Sequence, residues 1–402
     1  MDESRREEIL SRGRPGPYWP AEPMLGGWYT EEEVEAATKA IRDSMDPTTV
    51  GFGFICPEIV EFEESFAKYC GAAEAISING AGTGLDMAIM CLDLEPGDEV
   101  IVPAINFRAA AMAVVGQGGR VVWCEVDPRT FNMDPEDVER RLTPRTRAIF
   151  PVHMNGLSAP MDELLEIAER NYHPRHGALK VIGDAARAGA GGYKGTKIGA
   201  KGWMTVFSFH TMKLMTTLGE GGAITTDDAE AARRLRGIRQ FGGAHDGWGT
   251  NYKMTKVQAA VGLVQLRRLD EMTAKRVKAA KKRDEMLRGI PELTLPYEPH
   301  GYEHTYYLYT MLVPRAWAGE KRDRLLRIME EAYGVGCGVY NRPVYADSGY
   351  LREQTAGQKL PLSDELSARL FCMALHPLMT EAEQEYMAAA LWAAVEQVRC
   401  EA

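Results

Sequence analysis

The 402-residue sequence contains no hydrophobic stretch close to the ~18 unbroken apolar residues that a bilayer-spanning helix needs. Its best candidate, Ala109 to Gly116, stops at Gln117-Gly118-Gly119, so no membrane span is expected. Cysteine is scarce as well. The seven, at 56, 70, 91, 124, 337, 372 and 400, are scattered, odd in number and without a Cys-x-x-Cys pair. Several lie in apolar runs such as Val121-Val122-Trp123-Cys124, which favours buried free thiols over disulfides or zinc. Positive charge is in deficit, with 47 Lys and Arg against 57 Asp and Glu, a net charge of −10. That balance repels phosphates and anionic lipid, so neither nucleic acid nor a membrane is an expected partner. The opening residues, Met1 to Glu8, carry both signs of charge and lack the apolar core of a signal peptide, which leads to an expected cytoplasmic location. His173-x-x-His176 has metal-like spacing but sits in a Pro-containing stretch without a cysteine or carboxylate cluster, and no metal is expected there.

What is present is a globular composition, 45% hydrophobic and 26% charged, in a chain long enough for two domains or one large α/β unit with an appendage. From about residue 75, short β-branched runs alternate with helical patterns or Gly/Pro-marked loops. Strands are expected at Ala75 to Ile78, Glu99 to Pro103, Arg120 to Val126, Arg147 to Val152, Lys180 to Ile182, Met204 to Phe209 and Gly222 to Thr226. This rhythm predicts a mainly parallel, doubly wound sheet sandwiched by helices, with chemistry just beyond the carboxyl ends of the strands. Near Tyr252 a long helix follows, with Met254, Val257, Val261 and Val264 as its apolar stripe. Its basic continuation, from Lys275 to Arg283, is interrupted by Asp284 and Glu285 and lacks interleaved aromatics, so it reads as a solvated face. Thr305 to Tyr309 and Gly336 to Tyr345 read as strands, and Thr380 to Val398 as a closing helix. The expected organisation is a large domain over residues 45–270, a smaller C-terminal α+β domain over 271–402, and an N-terminal segment 1–44 packing with the small domain.

The densest chemistry lies between Val181 and Asp228. Asp184 ends an apolar strand, and a buried acid costs several kcal/mol unless a cation or metal meets it. Ser208 and Lys213 stand five residues apart after the next strand and are followed by Gly219-Glu220-Gly221-Gly222. A lysine in a crowded, glycine-framed loop loses basicity by desolvation, which suits an amine that forms a Schiff base. An acid for a pyridinium nitrogen, a serine for a phosphate and such a lysine together describe a site for pyridoxal 5'-phosphate. Gly80-Ala81-Gly82-Thr83-Gly84 falls short of a dinucleotide fingerprint because its third glycine would fall on Leu85. The backbone N–H groups of Gly82 and Thr83, at a helix start, suit a phosphate equally well.

Gly183-Asp184-Ala185-Ala186, Phe207-Ser208-Phe209-His210-x-x-Lys213 and Gly219-Glu220-Gly221-Gly222-Ala223 resemble the signature of the DegT/StrS family, the fold-type-I pyridoxal phosphate aminotransferases of sugars and cyclitols. Supporting stretches extend the resemblance over nearly the whole chain, among them Asn79 to Leu85, Pro103 to Phe107 and Asn251 to Met254. The resemblance implies a homodimer with shared active sites and a transfer of an amino group from glutamate or glutamine to a keto sugar or cyclitol, in natural-product or glycan precursor biosynthesis. It implies that Lys213 carries the cofactor, Asp184 protonates its ring nitrogen, and Gly82, Thr83 and Ser208 serve its phosphate. Phe107 would stack on the ring, the alternative being a plain core aromatic, and Asn251 would reach the neighbouring subunit's cofactor phosphate, the alternative being a loop cap. Two further readings share the motifs: an amino-hydroxybenzoate synthase-like enzyme, and a cofactor-binding regulatory protein without turnover. Lys213 favours amino transfer over the dehydratase branch, where relatives carry His. Arg187 stands where most relatives have Gln, and Gly183 where many have Glu. A guanidinium there asks for an anion, on the cofactor, donor or acceptor, or else for a structural acid. Asn341-Arg342-Pro343-Val344-Tyr345 also departs from the loop common in relatives that bind nucleotide sugars. His153 could line the site or make a structural hydrogen bond, and His210 is expected to be structural.

Overall fold

The computed structural model describes residues 1–46, 48, 55–243 and 245–401, so the stretch just after the expected boundary at residue 44 lies partly outside the described residues. Seven strands form the central sheet: β1 Glu74–Ile78, β2 Glu99–Pro103, β3 Arg120–Cys124, β4 Thr146–Ile149, β5 Lys180–Asp184, β6 Met204–Ser208 and β7 Gly222–Thr226. Their spatial order is β1-β7-β6-β5-β4-β2-β3. Only β7 runs against the rest, paired antiparallel to both β1 and β6. The strands are buried along nearly their whole length because helices cover both faces of the sheet, and separate buried clusters lie on each side. Helices α3 Pro57–Cys70, α4 Ala81–Met90 and α5 Ala109–Gly116 belong to these layers.

The expected strands over Arg120–Val126 and Arg147–Val152 end sooner, and Val126 and Val152 form only isolated bridges, to Met133 and Asp184. The strand expected to end at Ile182 instead continues to Asp184, because β6 pairs with it that far. Gly183 permits this crowding: a Cβ there would stand 2.9 Å from His153 Nε2 and 3.3 Å from Thr205 Oγ1.

The long helix α6, Lys256–Leu287, starts with a capping box between Thr255 and Gln258 and runs through residue 270 without a break. Its basic stretch is not uniformly solvated. Arg276 and Arg283 are buried and donate to backbone carbonyls of Leu375 and Ala374. Each guanidinium thereby pins the helix to the C-terminal part, whose sheet comprises β8 Tyr309–Leu312, β9 Cys337–Gly338 and β10 Leu370–Met373 in the order β8-β10-β9. Two expected strands are shorter than predicted. Tyr306, at φ 51°, turns the chain ahead of β8. Pro343 lacks the N–H a ladder needs, and Val344–Asp347 is helical.

The N-terminal segment divides its contacts. Helix α1, Glu3–Ser11, packs on the closing helix α7, Glu381–Cys400, and an Arg6–Glu396 ion pair at 2.6 Å joins them. Helix α2, Glu31–Arg42, lies on α6, where the Gln265 amide donates to Glu33 at 2.7 Å. All seven cysteines are unpaired. No described helix is long and apolar enough to cross a membrane.

Candidate active site

A cavity of about 640 Å³ opens at the carboxyl ends of β1, β5 and β6. Its walls bring together Gly82, Thr83, Phe107, Asp184, Arg187, Ser208 and Lys213 from four separate stretches of chain. Each arrives by a local device. Gly80 caps α4, so Gly82 and Thr83 occupy its first turn with N–H groups that have no partner inside the helix. A Cβ at Gly82 would meet nothing within 4 Å, so the space over this helix start is open to an anion. Thr83 Oγ1 donates to Asn79 at 2.7 Å, which orders the loop.

Asp184 is buried at the last position of β5. Among the described residues its carboxylate accepts one hydrogen bond, from Ala186 N–H at 2.9 Å, and forms no ion pair. Burial raises its pKa, partly offset by that N–H and by the charges of Arg187 and Lys213. A protonated ring nitrogen is the type of cation that this acid lacks.

Lys213 sits on the loop joining β6 to β7. The loop is closed by Phe209 N–H to Gly221 O at 2.9 Å and Thr211 N–H to Gly219 O at 3.1 Å. Gly221 adopts φ 152°, and a Cβ there would fall 2.1 Å from Thr217 Oγ1, so only glycine fits the turn. Burial, and behind it the positive charge of Arg187, lowers the Lys213 amine to about 8. Its hydrogen-bond acceptor is the Tyr307 hydroxyl at 2.9 Å, and it has no ion pair among the described residues. Ser208 Oγ accepts from His210 N–H at 3.3 Å and faces the same space. Phe107 is 60% exposed on the cavity wall rather than packed in the core.

Arg187 is buried and donates to Asn341 Oδ1 at 2.6 Å, while Asn341 Nδ2 donates to Asn155 Oδ1 at 2.8 Å. No acid stands within ion-pair distance of this guanidinium among the described residues, so its charge faces the cavity without a structural counter-ion. In the 341–345 loop Asn341 turns toward Arg187 and Val344 is buried in the core. Arg342 lies 3.8 Å from Asp347 at the surface, and Tyr345 donates to Asp364 at 2.8 Å. Asn251 is exposed and does not line the cavity of its own chain. It nonetheless stands next to Tyr252, whose carbonyl accepts from Asn79 N–H at 2.8 Å.

His153 is buried, accepts from Ala159 N–H at 3.0 Å and is lowered by burial to about 4, so it is a neutral structural imidazole. His210, expected to be structural, lines the cavity with Glu220 at 3.9 Å. Glu22 and Tyr307 escaped the sequence reading. Nothing local marks an acid between two prolines or one tyrosine in a tyrosine-rich run as part of a site.

An amine of lowered basicity, an unpaired buried acid and an open helix start around one cavity equip the molecule to exchange an amine for a carbonyl, and the class so defined is the aminotransferase. A family model described as "DegT/DnrJ/EryC1/StrS aminotransferase family" matches residues 31–392, and the chain belongs to that family. The family is pyridoxal phosphate dependent. The chain is 36% identical over 342 residues to GDP-perosamine synthase of Caulobacter vibrioides, covering 83% of this chain and 89% of that protein. It is 34% identical over 350 residues to dTDP-3-amino-3,4,6-trideoxy-alpha-D-glucose transaminase of Streptomyces venezuelae, covering 86% and 87%. DesV of S. venezuelae, solved with a ketimine intermediate, superposes with a TM-score of 0.82 at 30% identity over 96% of this chain and 99% of that one.

Proposed function

We propose that this transaminase binds pyridoxal 5'-phosphate and aminates a keto group on a sugar or cyclitol, in the biosynthesis of amino sugars for glycans or natural products. The observation that carries this reading is the pairing of Lys213 and Asp184 in one cavity, each without an ion-pair partner among the described residues. The names of the relatives, both concerned with nucleotide-linked sugars, support the substrate class. Glutamate or glutamine is the donor, by family resemblance.

When bound, the cofactor supplies an aldehyde carbon for the amino group and a ring that takes up carbanion charge. Asp184 keeps a proton on the ring nitrogen. The N–H groups of Gly82 and Thr83, with the Ser208 hydroxyl, hold the phosphate at the positive end of α4. Phe107 would hold the ring by apolar contact. Lys213 Nζ, neutral above about pH 8, takes up the proton that leaves the nitrogen-bearing carbon of the donor and, in the other half-reaction, gives a proton to the corresponding carbon of the acceptor. Arg187 receives an anion, either the donor's carboxylate or an anionic group on the acceptor. Two copies of the chain pair in the cytoplasm, and Asn251 of each subunit serves the other's phosphate site.

The test is a panel of keto sugars and keto cyclitols mixed with the pyridoxamine form, alongside glutamate and glutamine mixed with the pyridoxal form. The expected result is a donor half-reaction and an acceptor half-reaction in a ping-pong cycle. Failure of both donors, or a borohydride-reduced adduct on Lys194 or Lys197 in place of Lys213, overturns the proposal.

A further inference from the structure

Three side chains distant in sequence meet at the reacting amine. Lys213 Nζ donates to the Tyr307 hydroxyl at 2.9 Å, and Tyr307 donates in turn to a carboxylate oxygen of Glu22. Burial, with the nearby charge of Glu22, holds the Tyr307 phenol well above its usual range, so it keeps its proton. A phenol has a single O–H to donate, and Glu22 accepts that hydrogen bond. Only oxygen lone pairs then face Lys213. Tyr307 accepts from the amine and cannot donate to it, which leaves the nitrogen lone pair free for carbon chemistry.

Backbone packing delivers both partners. Gly26 N–H donates to Thr211 O at 3.0 Å, and Arg276 grips the Gly26 carbonyl. A Cβ at Gly26 would stand 2.2 Å from Met212 O and 2.3 Å from Lys213 O, so the segment bearing Glu22 lies directly on the backbone of the lysine loop. Tyr307 is placed by the turn at Tyr306 and by Thr305 N–H donating to Gly156 O at 2.9 Å. Neither partner comes from the central sheet.

We propose that Glu22 is a positioning residue that fixes the direction of the chain from Lys213 through Tyr307 to Glu22 and so keeps the Lys213 lone pair available. No proton changes owner in this arrangement; only the direction of two hydrogen bonds is set. The proposal rests on the reading of Lys213 as the reacting amine, and its test separates the two.

Reactivity of Lys213 in cofactor-free protein, measured above pH 8 with trace acetic anhydride and peptide mapping, reports on the lone pair without turnover. In Glu22→Ala the Tyr307 proton turns onto Lys213, and the acetylation rate falls about tenfold, the worth of one hydrogen bond. Glu22→Gln keeps an accepting oxygen and stays within about threefold of wild type. Adding Tyr307→Phe to Glu22→Ala removes the misdirected donor and restores most of the rate, whereas two damaged structural contacts would lower it further. Should Glu22→Ala fail to fold, Glu22→Met fills the space and equally lacks a strong acceptor. A single variant as reactive as wild type, or a double variant no faster than the single one, overturns the proposal. Borohydride mapping of the wild-type holoenzyme to another lysine overturns instead the reading on which it rests.

Discussion

Replacing Arg187 with Gln, the residue most relatives carry, tests how this cavity differs from theirs. The guanidinium is buried, donates to Asn341 at 2.6 Å and has no acid within ion-pair distance among the described residues. Its remaining donors therefore face the cavity, and an anion that meets them gains a charged hydrogen bond worth ~1.5–3 kcal/mol. Arg187→Gln should weaken apparent affinity for one substrate by roughly tenfold or more, from the same range. A second effect follows from the charge. Arg187 helps to bring the Lys213 amine down to about 8, so its removal moves that amine upward and shifts the alkaline rise of Lys213 reactivity to higher pH. Each half-reaction is followed separately by single-turnover absorbance over a range of substrate concentrations and pH. The half-reaction that weakens identifies whether donor or acceptor carries the anion. Wild-type kinetics in both half-reactions, with an unmoved pH midpoint, would show that Arg187 meets no substrate anion and does not act on Lys213, because an unpaired guanidinium in the cavity cannot be electrostatically silent.

Asp184→Asn should lower turnover by about 10²-fold or more, as for loss of a preorganised charge. The cofactor-free variant should be at least as resistant to urea as wild type, since a buried acid without a cation is removed; unchanged turnover would make the acid structural. Mixing Lys213→Ala with Asn251→Ala subunits under exchange should restore activity in hybrid dimers, each with one intact site, and no recovery despite proven exchange would place both residues in one subunit's site or make Asn251 irrelevant. His153 and His304 are held near 4 by burial, below the ordinary 6.5. The unfolded chain therefore binds more protons between those values, and stability should fall as pH drops from 6.5 towards 4, by on the order of 2–3 kcal/mol per histidine. A urea midpoint that is flat across that window would refute it. Gly26→Ala should destabilise the fold by about 1–3 kcal/mol through overpacking against the lysine loop, read as a lower urea midpoint with unchanged slope.

The alternation of apolar runs and helical stretches was sufficient for the seven strands and their mainly parallel sheet, because strand and helix periodicities are written locally, residue by residue. Asp184, Ser208, Lys213 and the glycine-framed turns were legible for the same reason. Each sits at a strand end or within a few residues of one, where the proposed chemistry calls for those residue types. Chain direction in β7, the burial of Arg276 and Arg283 and the early end of the 336–345 strand were not legible, since each depends on what packs against the segment from elsewhere. The contacts around the amine make the same point most sharply: Tyr307 lies 94 residues from Lys213 and 285 from Glu22, yet the three form one hydrogen-bonded chain. Arg187 was visible as an unusual residue, but whether its charge was already neutralised could be decided only by the distances around it. The residue types and their order along the chain fix which groups are available for chemistry. Their direction, ionisation and partners were decided by tertiary structure, because desolvation and hydrogen-bond polarity are properties of a closed cavity and not of a stretch of chain.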